Sequence, residues 1–221
     1  MPHRPPALTL ALLVALGLAA AGCAVPGAIA YKVFGPPAVP ARYVPPATEP
    51  LLVLVENPHS GSAAIPEADE LSRVIHDELA EHKVAVLIDP AKVHQLRDTD
   101  PLAFTKMTIA DIGRAVGPKR VLYVHIDRLA IDNPTASDMV TLNVAADVKV
   151  VDATDATTLW PDSGDSEPFT YESPHQRIQS GDSAALLKRQ VLRDSGVKIA
   201  RWFYPWKPET MSEENRDVNL R

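Results

Sequence analysis

Residues 51–55 read Leu51-Leu52-Val53-Leu54-Val55, an apolar run unbroken by any polar residue. Successive side chains of a strand point to opposite faces, so such a run needs cover on both. Parallel α/β sheets supply that cover. The same texture returns at Val84-Ala85-Val86-Leu87-Ile88, closed by Asp89-Pro90, and at Val121-Leu122-Tyr123-Val124-His125-Ile126. Helical patterns lie between these runs. Pro66-Glu67 opens the first, with Ala68, Leu71, Ile75 and Leu79 at helical spacing. Val93 and Leu96 mark a short helical turn. Ile109, Ile112 and Val116 mark a second helix, with Thr105 or Thr108 near its start and Gly117-Pro118 as its stop. The order β-α-β-α-β predicts an α/β sheet with helices packed on it.

The second half has a different rhythm. From Met139 to Val151, Val140, Leu142, Val144, Ala146, Val148 and Val150 share one face, and Thr141, Asn143, Ala145, Asp147 and Lys149 share the other. This is a long, half-exposed strand. Asp152 to Ala156 reads as a turn, and Thr157 to Trp160 as a returning strand, giving a long β-hairpin. Pro161 to Ser166 is an acidic loop. Ala184, Leu187, Val191, Leu192, Ile199, Trp202 and Phe203 define a C-terminal amphipathic helix, loosened at Ser195-Gly196 and ended by Pro205 and Pro208. The predicted fold is α/β, a mixed sheet covered by helices.

The 221 residues hold 46% hydrophobic and 23% charged side chains, a globular composition, with a net charge of -6 that gives no case for nucleic-acid binding. One cysteine excludes an internal disulfide framework and any multi-cysteine metal site. That cysteine, Cys23, follows His3 and Arg4, the apolar stretch Ala7–Ala21, and the small residues Ala20-Ala21-Gly22. The pattern is that of a secretory signal peptide, and the apolar stretch is shorter than the ~20 residues that span a bilayer. The segment Ala20-Ala21-Gly22-Cys23 resembles a bacterial lipobox, with Ala20 where that family usually has Leu. The resemblance implies cleavage before Cys23, lipid on its thiol and acylation (palmitate) of its new amino group. With Ala24 following, it also implies the outer membrane, facing the periplasm.

Seven prolines fall between Pro26 and Pro50. Such a stretch is extended, at about 3.1 Å per residue, and would reach on the order of 80 Å if straight. It reads either as a spacer or as a segment laid along the domain with Tyr31, Phe34 and Tyr43 as contacts. The expected organisation is a signal peptide over 1–22, lipidated Cys23 and tether over 23–50, an α/β domain over 51–206 and a polar tail over 207–221.

A wider resemblance rests on Leu51–Val55, Val84–Ile88 with Asp89-Pro90, Ile112-Gly113 running into Arg120–Ile126, Val148–Thr154 with Leu159-Trp160, and Ile199–Phe203. This order is similar to the lipoproteins related to the curli-secretion protein, the amino-terminal domain of TolB and the penicillin-binding-protein activator lipoproteins. It implies an anticodon-binding-domain-like sheet. Two departures stand out. Only Met139–Trp160 approaches the 9–11 residues per strand of a membrane-crossing hairpin, and it carries Asp147 and Lys149. Asp155-Ala156 also stands where the family's Asp-turn has Gly.

Candidate chemistry is sparse. His76 and His82 are six apart, so they do not share a helix face, and the four-residue spacing of zinc proteases is absent. His125 shares a strand face with Tyr123. His59-Ser60-Gly61-Ser62 follows a strand but lacks the phosphate-loop and dinucleotide fingerprints. Asp152, Asp155, Asp162, Asp165 and Glu167 form an acidic stretch without calcium-loop spacing. No catalytic, cofactor or metal residue is assigned. Tyr204 and Trp206, just past the last helix, are the partner-contact candidates. The expected function is a membrane-anchored, non-enzymatic envelope lipoprotein that binds or assembles with envelope proteins, homo-oligomers included. The rivals are an envelope hydrolase using His59 or His125 in a strand-end cleft, and a subunit of a secretion assembly.

Overall fold

The computed structural model describes residues 36–57, 66–132, 139–177 and 181–208. Ala41–Tyr204 forms one compact unit, and the described residues 36–40 and 205–208 belong to another. In the second, the described residues include an antiparallel bridge in which Val39 and Trp206 exchange backbone hydrogen bonds of 2.7 and 3.1 Å.

The compact unit opens with β1 (Pro50–Glu56). α1 (Pro66–Glu81), β2 (Val86–Leu87), α2 (Ala91–Thr99), α3 (Pro101–Phe104) and α4 (Ile109–Val116) follow. β3 (Arg120–Asp132) and β4 (Met139–Asp152) come next, then β5 (Thr158–Trp160), β6 (Glu167–Glu172), β7 (Gln176–Arg177) and α5 (Gly181–Ala200). The sheet runs β2-β1-β3-β4-β5, with β6 and β7 also paired to β4. β2 and β3 are parallel to β1, and everything paired to β4 is antiparallel, so the sheet is mixed.

β1 lies inside the sheet with helices over both faces, so its apolar run has no exposed member: Leu51 to Val55 are all buried. Val53 and Val55 align with Leu122 and Val124 on the face covered by α1 and α5; Leu52 and Leu54 align with Val121 and Tyr123 on the face covered by α2 and α4. α4 begins at a capping box in which Thr108 and Asp111 serve each other's backbone amides, and stops at Gly117, whose φ of 98° suits a residue without Cβ. α5 approaches α1 at Gly196, where a Cβ would sit 2.6 Å from Val74 Cγ1. The expected loosening at Ser195-Gly196 is absent: the helix runs through to Ala200, and this glycine serves close packing.

Three further expectations need correction. Val84–Ile88 is not a fully buried strand. Only Val86–Leu87 pair, at the sheet edge, and Val86 is 52% exposed. Its run is cut short because Lys83 turns left-handed at φ 52° just before it and Asp89-Pro90 follow just after. The long hairpin is β3–β4 rather than β4–β5, since β4 pairs along its length with β3 and only briefly with three-residue β5. β6 was not anticipated. Phe169 and Tyr171 point inward from it while Pro168 and Thr170 point out, a two-residue period hidden by an exposed proline.

Candidate functional site

Where β1 and β3 leave the cover of α2 and α4, the sheet presents polar side chains. Glu56 ends β1 in register with His125, and Tyr123 precedes His125 by one strand period. The Tyr123 hydroxyl donates to Glu56 Oε2 at 2.9 Å, and its oxygen lies 3.1 Å from His125 Nδ1. A phenol has one proton. With that proton on Glu56, the imidazole must be the donor at Nδ1. His125 Nε2 then lies 3.5 Å from Asp127. Burial, reinforced by the Glu56 carboxylate, raises the Tyr123 phenol above its usual range, so it remains a neutral donor at ordinary pH. β4 contributes Lys149, whose ammonium stands 5.6 Å from the centre of the Tyr123 ring, and Asp147, in register with His125. The face is thus a chain of alternating acids, donors and one cation.

A second feature is a groove of about 440 Å³ between the first half of α1 and the Asp89-Pro90 turn leading into α2. It is lined by His76 and His94; His125 does not line it, so the strand-end cleft with converging histidines is not assembled there. Asp69 meets His94 Nε2 at 3.2 Å and Arg97 at 3.7 Å, and Arg73 binds Glu70 at 2.7 Å and Asp77 at 3.1 Å. Asp69 therefore bridges the two walls, while Arg73 is paired within α1.

A third is an aromatic cluster. Trp160 stands 5.7 Å from both Trp202 and Phe203, Phe169 5.8 Å from Trp202, and Tyr43 6.3 Å from Phe203. These tilted and edge-on geometries suit the ring quadrupoles. Arg42 lies 4.3 Å over Trp202 and binds Glu167 at 2.8 Å. Arg120 reaches Glu49 at 2.6 Å and also bonds the Tyr43 hydroxyl, so residues 42–49 of the proline-rich stretch are tied to the domain. Lys119 and Arg120 hold the Glu49 carboxyl below its usual range.

Cys23 and His59 lie outside the described residues, as do Tyr31 and Phe34. Tyr204, expected at the surface, is 6% exposed. α5 packs along α1, so its end delivers Tyr204 to the end of α1, where its ring stacks on His82 at 3.8 Å and its hydroxyl donates to Glu78. Trp206 is half-buried, and its backbone is the one bridged to Val39. Of the acidic stretch, Asp152 and Asp155 accept the Thr154 and Thr157 amides at 2.7 and 3.0 Å, so both serve turns. No group of three or more His, Cys, Asp or Glu among the described residues could hold a metal ion, and no described helix is long and apolar enough to cross a membrane. Glu56 was missed by sequence reasoning. It follows the apolar run by one residue, and its strand period with Leu52 and Leu54 was the available signal.

By class this is an α/β domain built on a mixed sheet. No protein-family model matches the chain, and no curated protein matches it. Among solved structures it is similar to the lipoprotein GNA1162 from Neisseria meningitidis, at 15% identity over 67% of this chain and 97% of that one, with a TM-score of 0.44. It is similar to protein XCC0632 from Xanthomonas campestris at 13% identity, over 83% of this chain and 97% of that one, with a TM-score of 0.44. The hypothetical protein CT253 from Chlamydia trachomatis gives 12% identity, 70% and 97% coverage and a TM-score of 0.41.

Proposed function

We propose that this chain is a lipid-anchored envelope protein, held to the membrane through Cys23, whose α/β domain binds protein partners rather than performing catalysis. The observation that carries the reading is the sequence Ala20-Ala21-Gly22-Cys23 after a basic start and a short apolar stretch, in a chain with one cysteine. Lipid on the thiol together with an acylated amino group gives firm attachment where one chain would be marginal. The outer membrane is the proposed destination, since Ala24 follows the cysteine. Trp206 is the proposed partner contact beyond the last helix; Tyr204 is withdrawn from that role by its burial.

Cys23→Ser tests the anchor. Fatty-acid analogue labelling should vanish, and the variant should remain an uncut precursor or fail to reach its membrane. Continued labelling with unchanged membrane fractionation would refute the reading. The hydrogen-bonded Glu56–Tyr123–His125 chain favours a second reading, acid–base chemistry on the open sheet face. His125→Ala would then abolish turnover of an envelope substrate while leaving anchoring intact.

A further inference from the structure

We propose that the outer half of β3 is a self-complementary edge that pairs with the same edge of a second copy of this chain, in one register centred on Ala130.

β3 extends well past its parallel neighbour. Its last pair with β1 sets His125 opposite Glu56, and among the described residues no strand is registered against Ile126–Asp132 on the side away from β4. The direction of the backbone groups along this edge follows from Leu142. Its amide donates to Ser173 Oγ at 2.9 Å, and its carbonyl accepts from the Ser173 amide at 3.0 Å. A strand residue turns both groups the same way, so those of Leu142 point away from β3. Its partner across the ladder is Ile131, and that pair is therefore a non-hydrogen-bonded one. The amide and carbonyl of Ile131 point outward from the sheet, and so do those of Leu129, two residues back and opposite Val144.

An incoming antiparallel strand can bond only to Leu129 and Ile131. For two identical strands this restricts the twofold axis to pass through a residue, never between two. Centred on Ala130, Leu129 of each copy faces Ile131 of the other, giving two hydrogen-bonded pairs. Arg128 of each copy then faces Asp132 of the other in a non-hydrogen-bonded pair, where side chains come closest. Ala130 meets its own counterpart on the axis, where a small residue leaves room. Centred on Leu129 or Ile131, Arg128 and Asp132 face no opposite charge. Centred on Arg128 or Asp132, like charges meet. Within one chain Arg128 and Asp132 already share a face and pair at 2.9 Å, so the dimer would close a four-charge cluster of alternating sign. Ile131 is 45% exposed, an apolar side chain that such pairing would cover. Charged residues on a sheet edge ordinarily discourage pairing. Here their spacing admits one register and penalises the others.

This inference does not depend on the Cys23 anchor, and its test keeps the two apart. The full chain carrying Cys23→Ser, in detergent, should show a monomer–dimer equilibrium by sedimentation. Arg128→Asp and Asp132→Arg should each weaken the dimer by about tenfold, because each replaces two attractive cross-strand pairs by two repulsive ones. The double reversal should restore it. In the same background Ala130→Cys should form a disulfide-linked dimer on oxidation, since residues facing each other in a non-hydrogen-bonded pair are about 4.5 Å apart at Cα. Leu102→Cys, 76% exposed on α3, should crosslink far less. A chain that stays monomeric, a dimer indifferent to both reversals, or equal crosslinking from the two cysteines would each overturn the proposal.

Discussion

Gly196→Ala is the substitution for which local and tertiary physics disagree in sign. Gly196 lies inside α5, and replacing a mid-helix glycine by alanine ordinarily stabilises by about 0.5–1 kcal/mol. Here the new Cβ would lie 2.6 Å from Val74 Cγ1, 3.0 Å from Val74 Cβ and 3.4 Å from Leu71 Cδ1. Val74 cannot rotate away easily, because a β-branched side chain in a helix has one strongly preferred rotamer. Leu71 is fully buried behind it. Overpacking of this kind costs about 1–3 kcal/mol. Subtracting the propensity gain leaves a net destabilisation of up to about 2.5 kcal/mol. Urea unfolding of the full chain, followed by far-ultraviolet circular dichroism, reads this as a lower midpoint at unchanged slope. In a Val74→Ala background, which removes the 2.6 Å contact and keeps the 3.0 Å one, the same alanine should cost less, with a coupling above about 0.5 kcal/mol. A midpoint that rises for Gly196→Ala in the wild-type background would refute the close α1–α5 contact.

Three further outcomes follow from the fold. Ala156 adopts a φ of 64°, so Ala156→Gly should stabilise by up to about 1 kcal/mol in the same unfolding assay. Leu122→Ala should destabilise by about 2–5 kcal/mol, whereas Val86→Ala should stay within about 0.5 kcal/mol because β2 is an exposed edge; equal losses would contradict that placement. Hydrogen bonds from the Thr108 hydroxyl and amide, with Arg114 close by, lower the Asp111 carboxyl from 3.8 to about 2. Its ionised form is the one the fold favours, so its contribution is present above the ordinary carboxylate range and is lost as pH falls toward 2. The stability gap between wild type and Asp111→Asn should therefore shrink across that interval in acid titrations, and a gap that widens would contradict the assignment.

Much of the fold was legible because burial on two faces leaves an uninterrupted apolar run, and burial on one face leaves a period. Leu51–Val55 and the alternation of Met139–Val151 carry those signals directly. The Val84–Ile88 run misled because local sequence does not say whether a strand has a neighbour on each side; Lys83 and Asp89-Pro90 limit it to two paired residues. Met139–Trp160 looked like the long hairpin because the extended partner of β4, at Arg120–Asp132, precedes it in sequence. Candidate site residues were harder to read for a similar reason. Tyr204 is buried by Glu78 and His82, residues more than 120 positions away that only helix packing brings near. Glu56, Tyr123 and His125 come from two strands whose parallel register no spacing within either strand reveals.

The central claim is attachment through Cys23, and mass spectrometry of the mature protein recovered from membranes tests it most directly. The account predicts an amino-terminal peptide beginning at Cys23 and carrying the mass of a diacylglyceryl group and an amide-linked acyl chain. A mature chain that still begins at Met1, or one cut elsewhere with an unmodified Cys23 thiol, would contradict it.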